Sequence, residues 1–222
     1  MGRIKAVLFD IDGTLLTEMP PLIQLFLPQV YEKLAKKLET TKEEARNVFL
    51  SEIFSRRDTY DWHDWNFFFE LFGLNMQYED LLKRYPHKLH VYPDTIPTLE
   101  WLKESGYRLG VVTSGPEYQR LKLKLTGGLE GYFDVIVTRE DVKAIKPEPK
   151  IFLYALEKLG VEPKEAAFVG GDSLSQDVYG GAKHVGMLSI WINREGEPGH
   201  HLADYEIRTL HELRKILGGV VE

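Results

Sequence analysis

Residues Ile4 to Phe9 form a nearly unbroken apolar run that stops at Asp10 and is followed by Gly13. So short a run, closed by an acid and a turn residue, reads as a β-strand buried on both faces. A strand with two buried faces needs helices on both sides of its sheet, which demands repeated strand–helix units further along the chain. Those units are present, but not at once. From about Pro20 to Tyr85 the apolar residues recur at three and four: Leu22, Leu25, Phe26, Val30 and Leu34, then Val48, Phe49 and Ile53, then Trp65, Phe68, Phe69 and Phe72. That is helical spacing, and no strand is expected there.

Alternation starts after Tyr92-Pro93. The expected order is helix 96–105, strand 108–113, a helix after Pro116, strand 133–138, helix 150–159, strand 166–171, helix 176–184, strand 187–193, a weak strand 205–207 and helix 210–217. The fold class is α/β: a Rossmann-like, doubly wound parallel sheet with an all-α insertion after its first strand. The expected domains are a core of residues 1–16 and 90–222 and a helical cap of residues 17–89. Ligands of such sheets bind beyond the carboxyl ends of the strands, so this cap would lie over the site. In the stretch from the cap back into the core, Val91-Tyr92-Pro93-Asp94, the next helix is expected to be capped by Asp94 or Thr95.

Composition excludes several function classes. The formal net charge of −6 and the absence of a long Lys/Arg run argue against nucleic-acid binding. With no cysteine, disulfides, thiolate catalysis and cysteine-based zinc sites are excluded. No stretch approaches the roughly 18 apolar residues of a membrane helix, and the first apolar run is shorter than the roughly 7–15 residues of a signal peptide's core. A cytoplasmic protein is expected, monomeric or a small homo-oligomer, without a nucleic-acid or membrane partner.

Asp10-Ile11-Asp12-Gly13-Thr14-Leu15 puts two carboxylates two residues apart just past a strand end. If the strand persists, both point the same way, and Gly13 lets the chain turn so that backbone N–H groups face the same place. Taken alone, the string has a second reading, an acidic, solvated turn. It resembles the first signature of the haloacid dehalogenase superfamily, and three further signatures follow in order. These are the strand ending Val111-Val112-Thr113-Ser114-Gly115, the lysine of Lys146-Pro147-Glu148-Pro149, and the acids of Gly171-Asp172-Ser173-Leu174-Ser175-Gln176-Asp177. Individually, Thr113 reads as a strand-end residue, Lys146 as a surface lysine, Asp172 as a helix cap and Asp177 as an exposed acid. Their order gives the resemblance its specificity.

The resemblance implies a phosphatase acting on a small phosphorylated substrate through an aspartyl-phosphate. A carboxylate attacks a dianionic phosphate ester only where cations screen the repulsion, which Mg²⁺ and a lysine do. The expected metal ligands are Asp10, Asp12 through its backbone carbonyl, and Asp172, hard oxygens of the kind Mg²⁺ prefers. Asp10 is the expected nucleophile, and the resemblance makes Asp12 the acid and base. Thr113, Ser114 and Lys146 would grip the phosphoryl oxygens, and Asp177 would hold Lys146 and a metal-bound water.

A sugar-phosphate mutase of the same superfamily, or a non-catalytic phosphate binder, remains an alternative. The namesake dehalogenation is disfavoured, because the resemblance gives dehalogenases no acid at the position of Asp12. His200-His201 reads as a solvated loop. The cluster Tyr60, Trp62, His63, Asp64, Trp65, Phe67, Phe68 and Phe69 reads as cap core, or else as the place where Trp62, His63, Arg56 or Arg57 reaches the leaving group.

Overall fold

The structure, a computed structural model, describes residues 3–17, 21–171, 181–198 and 202–218. Six strands, β1 (Ala6–Phe9), β2 (Arg108–Val112), β3 (Val135–Val137), β4 (Ala166–Gly170), β5 (Leu188–Ile192) and β6 (Tyr205–Ile207), form one sheet in the order β3-β2-β1-β4-β5-β6. Every neighbouring pair is parallel. The chain order reverses between β1 and β4, which is where a doubly wound sheet opens its ligand crevice.

The apolar run of β1 works as its composition requires. Val7 and Phe9 point to one face, where they meet Leu99 and Leu102 of α5 (Thr95–Glu104), Leu123 of α6 (Tyr118–Leu125) and Leu213 of α9 (Leu213–Leu217). Ala6 and Leu8 point to the other face, against Val142 of α7 (Arg139–Val142) and Ile151, Phe152 and Leu156 of α8 (Pro149–Leu159). All four strand residues are fully buried. Two-residue alternation thus feeds two separate apolar layers from one strand.

Between β1 and β2 lie four further helices, α1 (Pro21–Leu38), α2 (Lys42–Ser55), α3 (Trp65–Leu71) and α4 (Tyr78–Arg84). Leu22, Phe26, Val30 and Leu34 make a stripe on α1 that packs on Phe49, Phe68, Phe69, Tyr78 and Leu82, forming a third apolar cluster. Phe26 meets Trp65, Phe69 and Tyr78 edge-on at 5.0–5.9 Å between ring centroids. Burying a side chain of that size contributes roughly 1.5–3 kcal/mol. Tyr118, at the start of α6, also belongs to this cluster, with Leu121 and Leu125 packed against it. No described helix is long and apolar enough to cross a membrane.

The chain leaves and re-enters the sheet layer at one place. Leu16 and Val91 form an antiparallel bridge. Thr17 N–H donates to the His90 carbonyl at 3.0 Å, and Tyr92 N–H donates to the Leu15 carbonyl at 3.1 Å. Beneath this ribbon, the Arg194 guanidinium donates to both Asp94 carboxylate oxygens (3.0 and 3.1 Å) and to the Thr14 carbonyl (2.7 Å).

The expected capping of α5 is corrected here. Asp94 occupies the N-cap position, but its side chain makes no capping hydrogen bond and turns to Arg194 and to the Leu210 N–H at 2.8 Å. Thr95 donates its hydroxyl to the Leu15 carbonyl at 2.9 Å. The strands expected at 133–138 and 187–193 are shorter, Val135–Val137 and Leu188–Ile192. Most of the helix expected at 176–184, together with His200 and His201, lies outside the described residues.

Asp94 and Arg194 are both largely buried, with side chains 8% and 11% exposed. Removing one partner of a buried pair leaves an uncompensated charge, which costs about 3–5 kcal/mol. Arg194→Ala is therefore expected to lower the unfolding free energy by about that amount, measured by chemical denaturation.

Candidate active site

Asp10 continues β1 by one residue, with its N–H donating to the Val169 carbonyl of β4 at 3.0 Å. Beyond it the chain turns back. Thr14, Leu15 and Leu16 all donate their N–H groups to the Ile11 carbonyl, and Gly13 sits at φ 72°. The Asp10 carboxylate receives a hydrogen bond from the Lys146 ammonium at 2.6 Å. Both side chains are 4% exposed, so this ion pair is almost wholly withdrawn from water. Lys146 is held in turn, since its backbone N–H donates to the Ser114 hydroxyl at 3.0 Å.

Thr113 follows the end of β2, and its N–H donates to the Val137 carbonyl of β3 at 3.0 Å. Its hydroxyl accepts the Gly115 N–H at 3.0 Å, closing the turn into α6. Thr113 and Ser114 are each 3% exposed. Thus Asp10 and Lys146 meet directly, Ser114 touches Lys146, and Thr113 lies in the adjoining turn. Side chains from three separate stretches converge at the carboxyl ends of β1 and β2.

Asp12 engages residues that the sequence reading did not single out. Its carboxylate is paired with the ammonium of Lys122 and accepts a hydrogen bond from the Gln119 amide at 3.1 Å. Both partners project from α6, three residues apart and therefore on one face. Gln119 is 7% exposed and Lys122 4%. A glutamine and a lysine on the inward side of an otherwise amphipathic helix, directly after the Thr113 turn, were the available signal.

Asp172 and Asp177 lie outside the described residues, and among the described residues no group of three metal-binding side chains is assembled. The fit of a divalent cation rests on the surroundings. Asp10 and Asp12 offer hard carboxylate and carbonyl oxygens. At the end of β4, Gly171 comes so close to the turn after β1 that a Cβ there would stand 2.7 Å from the Gly13 carbonyl oxygen. Its N–H also donates to the Thr14 hydroxyl at 2.9 Å. Gly171 thus lies directly against the Asp10 turn, and the hard oxygens gathered at that turn fit Mg²⁺.

The segment 60–65 is fastened to α6 and α7 by Tyr118 and Arg139. Arg139, 4% exposed, pairs with the Asp64 carboxylate, donates to the Tyr60 carbonyl, and lies 4.3 Å from the Tyr60 ring centroid. The other Asp64 oxygen caps α3, accepting the N–H groups of Asn66 and Phe67 at 2.9 and 3.2 Å. The Tyr118 hydroxyl donates to the His63 carbonyl at 2.8 Å and accepts the Trp65 N–H at 3.1 Å. Burial pushes that phenol's pKa well up.

His63 is pushed down to about 4, first by burial and then by the Lys146 charge, against the opposing pull of Asp12. Its imidazole is therefore uncharged near neutral pH. Arg56 and Arg57 turn elsewhere, Arg56 to Glu52 at 2.7 Å and Arg57 onto the Trp62 ring at 5.6 Å. Of the aromatic cluster, Phe68 and Phe69 are the buried core residues.

Residues 4–184 match the family described as haloacid dehalogenase-like hydrolase. A solved structure of a HAD phosphatase from Thermococcus onnurineus is 74% identical, with a TM-score of 0.94, over 97% of this chain and 99% of that one. The glyceraldehyde 3-phosphate phosphatase of Methanopyrus kandleri is 32% identical over 96% of this chain and 97% of its own length. The pyrophosphatase PpaX of Bacillus pumilus is 32% identical over 98% of each.

Lys122 and Gln119 set the position and charge environment of Asp12, so losing the lysine should impair any proton transfer at that carboxylate. Lys122→Met is expected to lower kcat by about 10- to 100-fold, less than the roughly 10²–10⁴-fold that general acid–base catalysis supplies in full, because the carboxylate itself remains. Steady-state kinetics, with circular dichroism to verify folding, checks this.

Proposed function

We propose, from the fact that the chain belongs to the haloacid dehalogenase-like hydrolases and acts on phosphate esters, that Asp10 is the nucleophile of a Mg²⁺-dependent phosphatase for a small phosphorylated metabolite. The observation that carries this reading is the buried Lys146–Asp10 pair at the head of β1, with Asp12 held two residues on by Lys122. A lone carboxylate would repel a phosphate dianion, and the Lys146 ammonium screens that repulsion where the two must meet. Asp10, the backbone carbonyl of Asp12 and Asp172 would hold Mg²⁺, which when bound supplies further screening of the phosphoryl oxygens.

In the attack, an Asp10 oxygen forms a bond to phosphorus while the ester oxygen leaves, giving an aspartyl phosphate and an alkoxide. Asp12 donates a proton to that leaving oxygen, then takes one from the water that attacks phosphorus and frees Asp10. Thr113, the Ser114 N–H and Lys146 hold the non-bridging oxygens during both steps. Asp177 would steady Lys146 and a metal-bound water.

Residues 1–16 and 90–222 are the catalytic core in this reading, and residues 17–89 are a cap that excludes water during transfer. The Leu16–Val91 bridge and the separate apolar cluster of α1 to α4 support that division. A triose phosphate is the substrate that the reading favours, in keeping with the phosphatase name carried by the Methanopyrus relative. The reading takes the protein as cytoplasmic, monomeric or a small homo-oligomer, without a membrane or nucleic-acid partner. The net charge of −6 supports the last point.

Phosphate release from a panel of small esters tests the assignment. Turnover is expected with Mg²⁺, absent with chelator, and reduced to background in Asp10→Asn. Release that survives in Asp10→Asn would remove Asp10 from the role of nucleophile.

A further inference from the structure

His63 belongs to the helical insertion and takes no part in the mechanism above, yet it lies within the electrostatic reach of Lys146 and Asp12. Its Nε2 is shielded from water and has no hydrogen-bond partner among the described residues. The charges of Lys146 and Asp12 both reach its ring. A shielded imidazole nitrogen without a partner is costly, and such a group is retained where something outside the chain completes it.

The backbone that carries the ring is held at several points. The Tyr118 hydroxyl grips its backbone carbonyl at 2.8 Å, Arg139 fixes Asp64 next to it, and the Trp62 ring lies 4.7 Å away. These contacts anchor the segment that carries His63 to α6 and α7. Among the described residues, the His63 Nε2 is left without a partner.

Charge narrows what that contact is. An uncharged imidazole cannot balance a second anionic group. The nearby cations already face acids: Lys146 faces Asp10, Lys122 faces Asp12, Arg139 faces Asp64, and Arg56 faces Glu52. Arg57 lies over the Trp62 ring and 4.0 Å from Asp58. Among the described residues, a leaving group with a carboxylate or a second phosphate would find no nearby cation that is not already set against an acid. A hydroxyl or carbonyl oxygen needs one hydrogen bond, which a neutral imidazole nitrogen gives or accepts.

We infer that His63 is the specificity-determining residue for the leaving group, hydrogen-bonding through Nε2 to a neutral hydroxyl or carbonyl oxygen of a phosphorylated polyol or aldehyde. The inference rests on the phosphatase reading above and deepens it. It separates this chain's substrates from phosphorylated acids and from inorganic pyrophosphate, which share the phosphoryl half and differ in what leaves.

The test compares kcat/KM for glyceraldehyde 3-phosphate with that for 4-nitrophenyl phosphate, whose leaving group offers His63 no hydroxyl or aldehyde oxygen. It is run in the native chain, His63→Ala and His63→Gln. In His63→Ala the ratio of the two is expected to fall by about 10- to 100-fold, the worth of one buried hydrogen bond. In His63→Gln, which keeps a donor and an acceptor at that site, the ratio is expected to recover in part.

Equal losses on both esters would overturn the inference and make His63 a structural residue, as would an unchanged ratio. Faster native turnover of 2-phosphoglycolate or pyrophosphate than of glyceraldehyde 3-phosphate would overturn the leaving-group class. A native chain inactive on every ester would instead overturn the phosphatase reading, and this inference with it.

Discussion

The buried contact between Lys146 and Asp10 is the interaction around which the rest of the molecule is arranged. Opposite charges withdrawn from water are tolerated only when they are close and well positioned. Here the partners are 136 residues apart in sequence and 2.6 Å apart in space. To bring them together, β1 must be central, flanked by β2 and β4, so that its end is reached from both sides. The loop before α8 must then fold back over the end of β2, where Ser114 catches the Lys146 backbone. The apolar layers on either face of the sheet supply the stability that lets such a pair persist.

The helical insertion is joined to this core by chemistry of two kinds. Tyr118 contributes its ring to the apolar cluster of α1 to α4 while its hydroxyl binds the backbone of His63 and Trp65. Arg139 adds a charged and aromatic clasp on Tyr60 and Asp64. Moving the insertion away from the sheet would therefore expose apolar rings and break a buried ion pair together, which favours two distinct positions over a continuum.

Much of this was legible from local pattern. The fully buried β1 announced itself as an apolar run, and the helical insertion as a change of period from Leu22 onward. That Asp10 and Lys146 would meet was legible because their neighbours in sequence resemble a known set of signatures. What escaped were contacts between residues far apart in the chain. Gln119 and Lys122 lie more than 100 residues from Asp12, and in the sequence they are two polar positions of a short helix. Asp94 sits where a helix cap belongs, and only the folded chain brings Arg194 to it across 100 residues. His63 stood within an aromatic cluster whose periodicity suggested core, and periodicity carries no information about which ring nitrogen lacks a partner.

The Leu16–Val91 bridge has a consequence for how such proteins diversify. Because the two ends of the excursion are paired to each other, the core sees a short hairpin-like connection whatever lies between them. Loop-closure entropy rises only slowly with length, so lengthening, shortening or replacing the intervening helices costs the core little. On the phosphatase reading, the insertion can then drift or be exchanged wholesale while the residues at the ends of β1 and β2 are inherited intact. The ribbon is in effect a socket, and ancestral tinkering with substrate range needs to touch nothing beneath it.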